Sequence, residues 1–414
     1  MTKKMRKGLL YGAFILFAVL SIITVLFSLG YNYDFVENKL VKTGSFRVAT
    51  NVSGAEVYIN SHLAGKTSFL TNNFSKGRLL PRTYDIRIQK ENYQLWEKNI
   101  TIGSGLFSDF PVIILIKDEI EPALVSSASA NVGPGKTIMT VFDSENRYAY
   151  LEQESKSAGM GSVLLLDLNN NAAAQDVLDI PYAVLDRSPV IYDKKLYFLS
   201  MNNLISYDPS SDRSSTLFTG ASIFYFTDNQ IIVAGTKDNV IYSLRPDGAG
   251  SGQIIAELPK NYSLVSGHVL GNIHFFILNN GFRTDLFKFE SGEWLKIKES
   301  ISSIKLSPDG KKLIYAGRNE LWARWLANST SQPARIADEE ELITRFSQKI
   351  DDFAWYKDSE HVFVNTGSVI KFIELDGRGG SRNIFDVSSA DGKMVYRNNK
   401  LWFFDKLALM VVEL

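Results

Sequence analysis

Residues 9–29 carry no charge and are mostly apolar, and Lys3, Lys4, Arg6 and Lys7 stand directly before them. A helix of that length crosses the hydrocarbon core of a bilayer, which takes about 20 residues at about 1.5 Å rise each. The basic residues are expected to stay cytoplasmic. The run therefore predicts a cytoplasmic tip and transmembrane helix over residues 1–30, with the bulk of the chain extracytoplasmic, at the cell surface or in the periplasm. A cleaved leader has a shorter apolar stretch, roughly 7–15 residues, and a small-x-small exit. Ser28 and Gly30 make a poor pair of that kind, so a retained single-pass anchor is expected. Tyr31 and Tyr33 suit the outer interface, where amphipathic rings settle.

The chain is long enough for two or three folded units. Lys+Arg and Asp+Glu balance at 45 each. Setting aside the basic residues before the run leaves the remainder mildly acidic, which argues against nucleic acid as a partner. There is no cysteine. Disulfides, thiolate metal sites and cysteine nucleophiles are thereby excluded. Stability has to come from core burial alone.

After a mixed-charge juxtamembrane linker (31–43), residues 44–117 alternate apolar and polar with the period of strands. Phe46-Arg47-Val48-Ala49-Thr50, Glu56-Val57-Tyr58-Ile59-Asn60 and Tyr84-Asp85-Ile86-Arg87-Ile88-Gln89 show it, and Asn99-Ile100-Thr101-Ile102 is a shorter run. The pattern predicts a small antiparallel sheet or sandwich, with turns at Ser53-Gly54 and Ala64-Gly65-Lys66.

The stretch from Ser53-Gly54-Ala55-Glu56-Val57-Tyr58-Ile59-Asn60 through Gly65-Lys66-Thr67 and Leu80-Pro81 to Lys90-Glu91-Asn92-Tyr93 resembles the PEGA domain. The family's pattern has Pro-Glu where Val52-Ser53 stands here, Pro at Ser68, and Gly at Asn92. Asn tolerates the left-handed backbone conformation, so the last exchange is physically mild. The resemblance implies a non-enzymatic envelope or surface module.

Residues 118–135, rich in Ser, Ala and Gly over 126–135, are expected to form a linker. Beyond them, over 136–414, one unit recurs: polar turn, short apolar strand, second turn, second strand. Leading strands begin near Tyr148, Leu196, Ile231, Ile273, Leu313, Val362 and Met394. Four short strands per unit at a spacing of roughly 40 residues mark a β-propeller. The fold class expected is mainly β: an N-terminal transmembrane helix, a PEGA-like β-sandwich and a roughly seven-bladed propeller. A large array of sandwiches is the alternative. Ser307-Pro308-Asp309-Gly310-Lys311 resembles the repeat turn of TolB-like and WD-repeat-like propellers, and Asp391-Gly392-Lys393 is a second copy. The apolar stretch 407–414 is expected to supply a strand of the last blade, next to the first.

Candidate chemistry is sparse. Gly65-Lys66-Thr67 and Gly135-Lys136-Thr137 echo a P-loop, but the motif's first glycine falls at Asn60 and Ala130, and no helical pattern follows. Asp167-x-Asn169-x-Asn171 has the first oxygen positions of a calcium loop, yet Ala172 and Leu178 replace the glycine and the closing carboxylate. His62, His268, His274 and His361 lack helical zinc-site spacing. No Gly-x-Ser-x-Gly elbow occurs, and no hydrolase-like segment follows the repeats. Trp322, Trp325, Trp355 and Trp402 are expected to pack between blades, with Trp325 the best placed for exposure. Neither cofactor nor metal is expected. The reading is a non-enzymatic, membrane-anchored protein that binds a protein, peptide or glycan through its propeller. The alternative is a glycosidase or lyase working in the central channel, which requires converging carboxylates.

Overall fold

A computed structural model of the chain describes residues 3–127, 140–144, 146–153, 159–185, 187, 189–227, 230–250, 252–390 and 392–414. The chain divides into two compact units. The first comprises Met1–Glu119, Ser329–Ala334 and Asp376–Asn383. The second comprises Ile120–Asn328, Arg335–Leu375 and Ile384–Leu414.

The first unit begins with a helix over Lys3–Ser28, which covers the uncharged run except for Leu29. None of its most apolar window is buried against protein. Residues 31–43, expected as a linker, instead form an antiparallel hairpin, Tyr31–Asp34 against Lys39–Lys42. Two sheets follow. One orders His62–Lys66, Glu56–Ile59, Thr83–Gln89 and Trp96–Thr101, all antiparallel. The other orders Asn73–Leu79, Gly44–Thr50 and Phe107–Ile113, and its last pair is parallel. A purely antiparallel sheet was expected. The strand at 107–113 holds Pro111 and lacks alternation, so its period concealed it. Gly65 and Lys66 end a strand rather than making a turn; the turn is at Asn60 and Ser61, both left-handed. Asn92 takes φ 64°, the conformation the family's glycine would supply.

Alternation explains this core. Phe46, Val48, Val57, Ile86, Ile88, Trp96, Ile100 and Phe110 are buried, and Trp96 meets Phe110 edge-on at 6.0 Å. Lys98 shares the inward register of Trp96 and Ile100 and is also buried. Its ammonium donates to the Asp376 carbonyl. Arg378 donates to the Asp109 carbonyl at 2.8 Å and stacks over Phe110 at 3.7 Å. Gln332 donates to the Phe107 carbonyl at 2.7 Å and accepts from Asp109 N at 2.8 Å. The module is thus completed by segments more than 200 residues downstream.

Among the described residues the second unit contains seven four-stranded sheets, each with the size and strand order of a propeller blade. Six are consecutive antiparallel meanders, beginning at Thr140–Phe142, Val190–Tyr192, Ala221–Thr227, Ser263–Leu270, Ser303–Leu306 and Asp352–Trp355. First strands lie side by side between the third and fourth, the fourth and fifth, and the sixth and seventh blades. The seventh blade is composite: Met394–Arg397, Lys400–Asp405, Ala408–Glu413 and, outermost, Ala123–Ser127. Residues 123–127, expected within the linker, are therefore a strand. The rest of the linker's Ser-, Ala- and Gly-rich part, 128–135, and Gly135-Lys136-Thr137 lie outside the described residues.

The stretch 407–414 does supply a blade strand. Leu409, Trp402 and Phe404 of blade 7 share a core with Ala149, Leu151 and Leu166 of blade 1. Similar cores join blades 1 to 2, 2 to 3, 3 to 4 and 4 to 5. The repeat turns were expected to join the first two strands of each blade, and the strands at Tyr148, Leu196, Ile231, Ile273, Leu313 and Val362 are indeed second strands; Met394 is the exception and opens a first strand. In a meander every hairpin has the same turn-strand-turn pattern, so sequence did not separate first strands from second.

Leu409 is wholly buried between blades 7 and 1. Leu409→Ala should lower stability by about 2–5 kcal/mol, measured by urea unfolding in detergent. An unchanged midpoint would show that this seam carries no load.

Candidate functional site

The turn carboxylates of the repeat have a structural job. Asp143 Oδ1 accepts from Arg147 N (2.6 Å) and Tyr148 N (2.7 Å). Asp358 Oδ1 accepts from Glu360 N (2.8 Å) and His361 N (3.0 Å). Asp309 accepts from Lys311 N (3.0 Å) and from the Ser307 hydroxyl (2.6 Å). Each closes the hairpin between first and second strands by satisfying backbone donors that the sheet leaves over. A repeated Asp is thus a fold signal here.

These turns place the first strands, and the first strands line a cavity of about 380 Å³. Blade 4 supplies His268 and Val269, blade 5 Lys305 and Leu306, blade 6 Ala354 and Trp355, and blade 7 Met394 to Tyr396. Asn146 comes from the blade 1 turn. Among the described residues no Asp or Glu lines it.

Its cation is already engaged. Lys305 Nζ donates to Asp352 Oδ1 at 3.0 Å and to the Phe353 carbonyl. Asp352 Oδ2 accepts from Met394 N at 3.0 Å, and Trp355 Nε1 donates to the Lys305 carbonyl at 3.1 Å. One buried carboxylate therefore joins blades 5, 6 and 7. Tyr396 packs on Tyr356 with ring centroids 4.8 Å apart. Burial, reinforced by the Tyr356 hydroxyl, pushes the Tyr396 phenol far above its usual range, so it stays protonated. The wall offers an imidazole, an amide, hydroxyls, a thioether and aromatic carbon. That set suits non-covalent recognition of a neutral or weakly polar group.

The residues singled out in the sequence are dispersed. His268 and Trp355 reach the cavity. His62 is exposed on a strand of the first unit. His361 is buried, holds Asp358 Oδ2 at 2.8 Å and stacks on Phe372 at 4.9 Å. His274 stacks on Phe276 at 5.6 Å, and burial lowers its pKa. No group of carboxylates, histidines or cysteines could hold a metal among the described residues.

Asp167 caps a short turn through Asn169 N at 2.9 Å. Asn169 accepts from Arg397, and Asn171 from Lys400 at 3.0 Å. The calcium-like spacing serves the seam between blades 1 and 7. Thr67 accepts from Ala55 N at 2.9 Å, a turn staple and not a phosphate site.

Trp325, expected as exposed, is buried under the Arg335 guanidinium, 4.1 Å from its ring centroid. Arg335 is itself held by Glu339 and Glu341. Trp402 is buried in the seam, as expected of an inter-blade aromatic. Sequence reasoning missed Asn146, Lys305, Asp352 and Tyr396. For Lys305, Asp352 and Tyr396 the signal available was their place within first strands, which required the strand register that Met394 obscured; Asn146 lies in the turn after a first strand.

Residues 43–106 match the PEGA domain. This agrees with the strands and turns of the first unit. No curated protein matches the chain. Among solved structures, the β-propeller domain of Cps50 (Swd1) from Myceliophteria thermophila is 11% identical, covering 71% of this chain and 100% of that one at a TM-score of 0.45. Streptogramin B lyase is 12% identical, covering 71% and 97% at 0.46. Kluyveromyces lactis Hsv2 is 9% identical, covering 66% and 96% at 0.40. Likenesses this distant carry no substrate or partner across.

The Asp358–His361 turn makes a pH-dependent prediction. Burial opposes ionisation of Asp358, but His361 and the backbone donors outweigh it and hold the carboxyl below its ordinary 3.8. A depressed carboxylate stabilises the fold above its unfolded pKa, and that contribution is lost as pH falls through the folded value. Asp358→Asn should cost about 1–3 kcal/mol at neutral pH. The gap to the natural protein should narrow below pH 3.8. A gap independent of pH, read from denaturant midpoints, would contradict the assignment.

Proposed function

We propose that the chain is a single-pass, membrane-anchored envelope protein whose propeller binds or scaffolds a protein, peptide or glycan partner without catalysing a reaction. The observation that carries the reading is the apolar helix Met5–Ser28, exposed along its length and leading into a PEGA module. A bilayer is the solvent such a surface requires. Lys3, Lys4, Arg6 and Lys7 precede its uncharged run at 9–29, which supports a cytoplasmic tip and an extracytoplasmic bulk. Retention of the helix as an anchor, rather than its removal as a signal sequence, is part of the proposal.

Binding is favoured over catalysis by the cavity wall. A glycosidase needs two carboxylates flanking its substrate. The described lining presents neutral polar and aromatic groups, and its lysine is neutralised by Asp352. A rigid ring that displays variable loops suits recognition of a partner.

Two measurements test this. A reporter fused after Leu414 should be active only outside the cytoplasm, and cytoplasmic activity would overturn the topology. His268→Glu places an acid on the cavity wall. It should abolish capture of any partner recovered by the full-length protein while leaving the unfolding midpoint near that of the natural chain. Undiminished capture would move the binding surface away from this cavity.

A further inference from the structure

The hairpin that follows the helix is held firmly, yet its apolar side chains are left largely exposed. Its base is fixed at the helix exit, where Thr43 N and Thr43 Oγ1 each donate to the Gly30 carbonyl at 2.8 Å. Ser104 Oγ donates to the Lys42 carbonyl at 3.1 Å, tying the loop at 103–106 to the same point. At the other end of the first strand Asp34 is buried and bonded to Arg82 at 2.8 Å. Beyond these ties, Phe35 is 82% exposed, Val36 78%, Leu40 48% and Tyr33 42%. Tyr33 and Leu40 are cross-strand partners, and the Tyr33 and Phe35 rings meet edge-on at 5.0 Å. Leu106, on the tied loop, is 64% exposed.

A lone two-stranded hairpin is marginal in water, and apolar groups gathered on one such element mark an interaction face. Position identifies what covers it. A four-residue strand reaches at most about 13 Å, so the tip stays close to the point where the chain leaves the helix. Independently, Arg78 of the PEGA module lies 3.7 Å over the ring of Phe27, in the last turn of the apolar helix. The surface of this unit is therefore level with the end of the span. Aromatic and aliphatic side chains at that level partition into the boundary between headgroups and acyl chains, and cations beside them, here Lys42 and Arg78, suit lipid phosphates.

We propose that the hairpin Tyr31–Lys42 is a second membrane contact, lying in the outer interfacial layer of the bilayer that the helix spans, with Tyr33, Phe35, Val36 and Leu40 inserted. It would hold the PEGA module at a fixed attitude to the lipid surface. This rests on the anchor reading above.

The chain has no cysteine, so single-cysteine variants can be labelled without background. Phe35→Cys and Phe282→Cys replace two highly exposed residues, 82% and 98%. Each full-length variant carries a nitrobenzoxadiazole probe and is reconstituted into phosphatidylcholine vesicles, plain or brominated in the acyl chains. The probe at 35 should emit to the blue of that at 282, be quenched by brominated lipid, and show a several-fold smaller iodide quenching constant. Iodide quenching at 35 equal to that at 282, without a bromolipid effect, overturns the proposal. Shielding from both quenchers overturns it too, because protein then covers the hairpin. Failure of the protein to float with the vesicles would instead remove the anchor reading, and this inference with it.

Discussion

The propeller depends on one sheet that neither end of its chain can make alone. Ala408–Glu413 lies between Lys400–Asp405 and Ala123–Ser127, so strands almost 300 residues apart share a ladder. Each other blade is local: four consecutive strands, assembled by short turns. Without the composite blade, blades 1 and 6 would each expose an apolar face, and the open ends would be templates for association. With it, the core of Trp402, Phe404 and Leu409 closes onto blade 1. Asn169 and Asn171 reinforce the seam by engaging Arg397 and Lys400. In a cysteine-free chain this is the crosslink available.

Much of the architecture was legible because it rests on local pattern. The run at 9–29 gave the helix, period-two alternation gave four PEGA strands, and recurrent Asp turns gave the blade repeat. What stayed hidden has physical causes. Ala123–Ser127 has no partner nearby in sequence and sits in a small, polar composition, so it reads as linker. Phe107–Ile113 pairs in parallel with Gly44–Thr50, a relation no local period encodes. Trp325 is flanked by polar residues but is covered by Arg335, whose charge is balanced by two glutamates. Lys98 stands where a strand should bury carbon, and its partner Asp376 is supplied from far downstream.

The same logic governs the site. His268 and Trp355 could be named from composition, but their convergence with Asn146 and Tyr396 follows from the order of blades. Polar groups around the cavity are largely spoken for by the fold. Lys305 answers Asp352, Asp352 answers Met394 N, and Trp355 answers the Lys305 carbonyl. Groups so engaged fix one another's positions in the wall.

The closing ladder can be tested chemically. Leu124 and Met410 are direct Cα partners across it, and opposed residues in an antiparallel pair stand about 4.5–5.5 Å apart, within disulfide range. In the otherwise cysteine-free chain, the double variant Leu124→Cys, Met410→Cys should form an intrachain disulfide on mild oxidation, seen as a faster-migrating, reducible monomer. Free thiols, or crosslinks between molecules only, would show that the two ends do not meet in one blade.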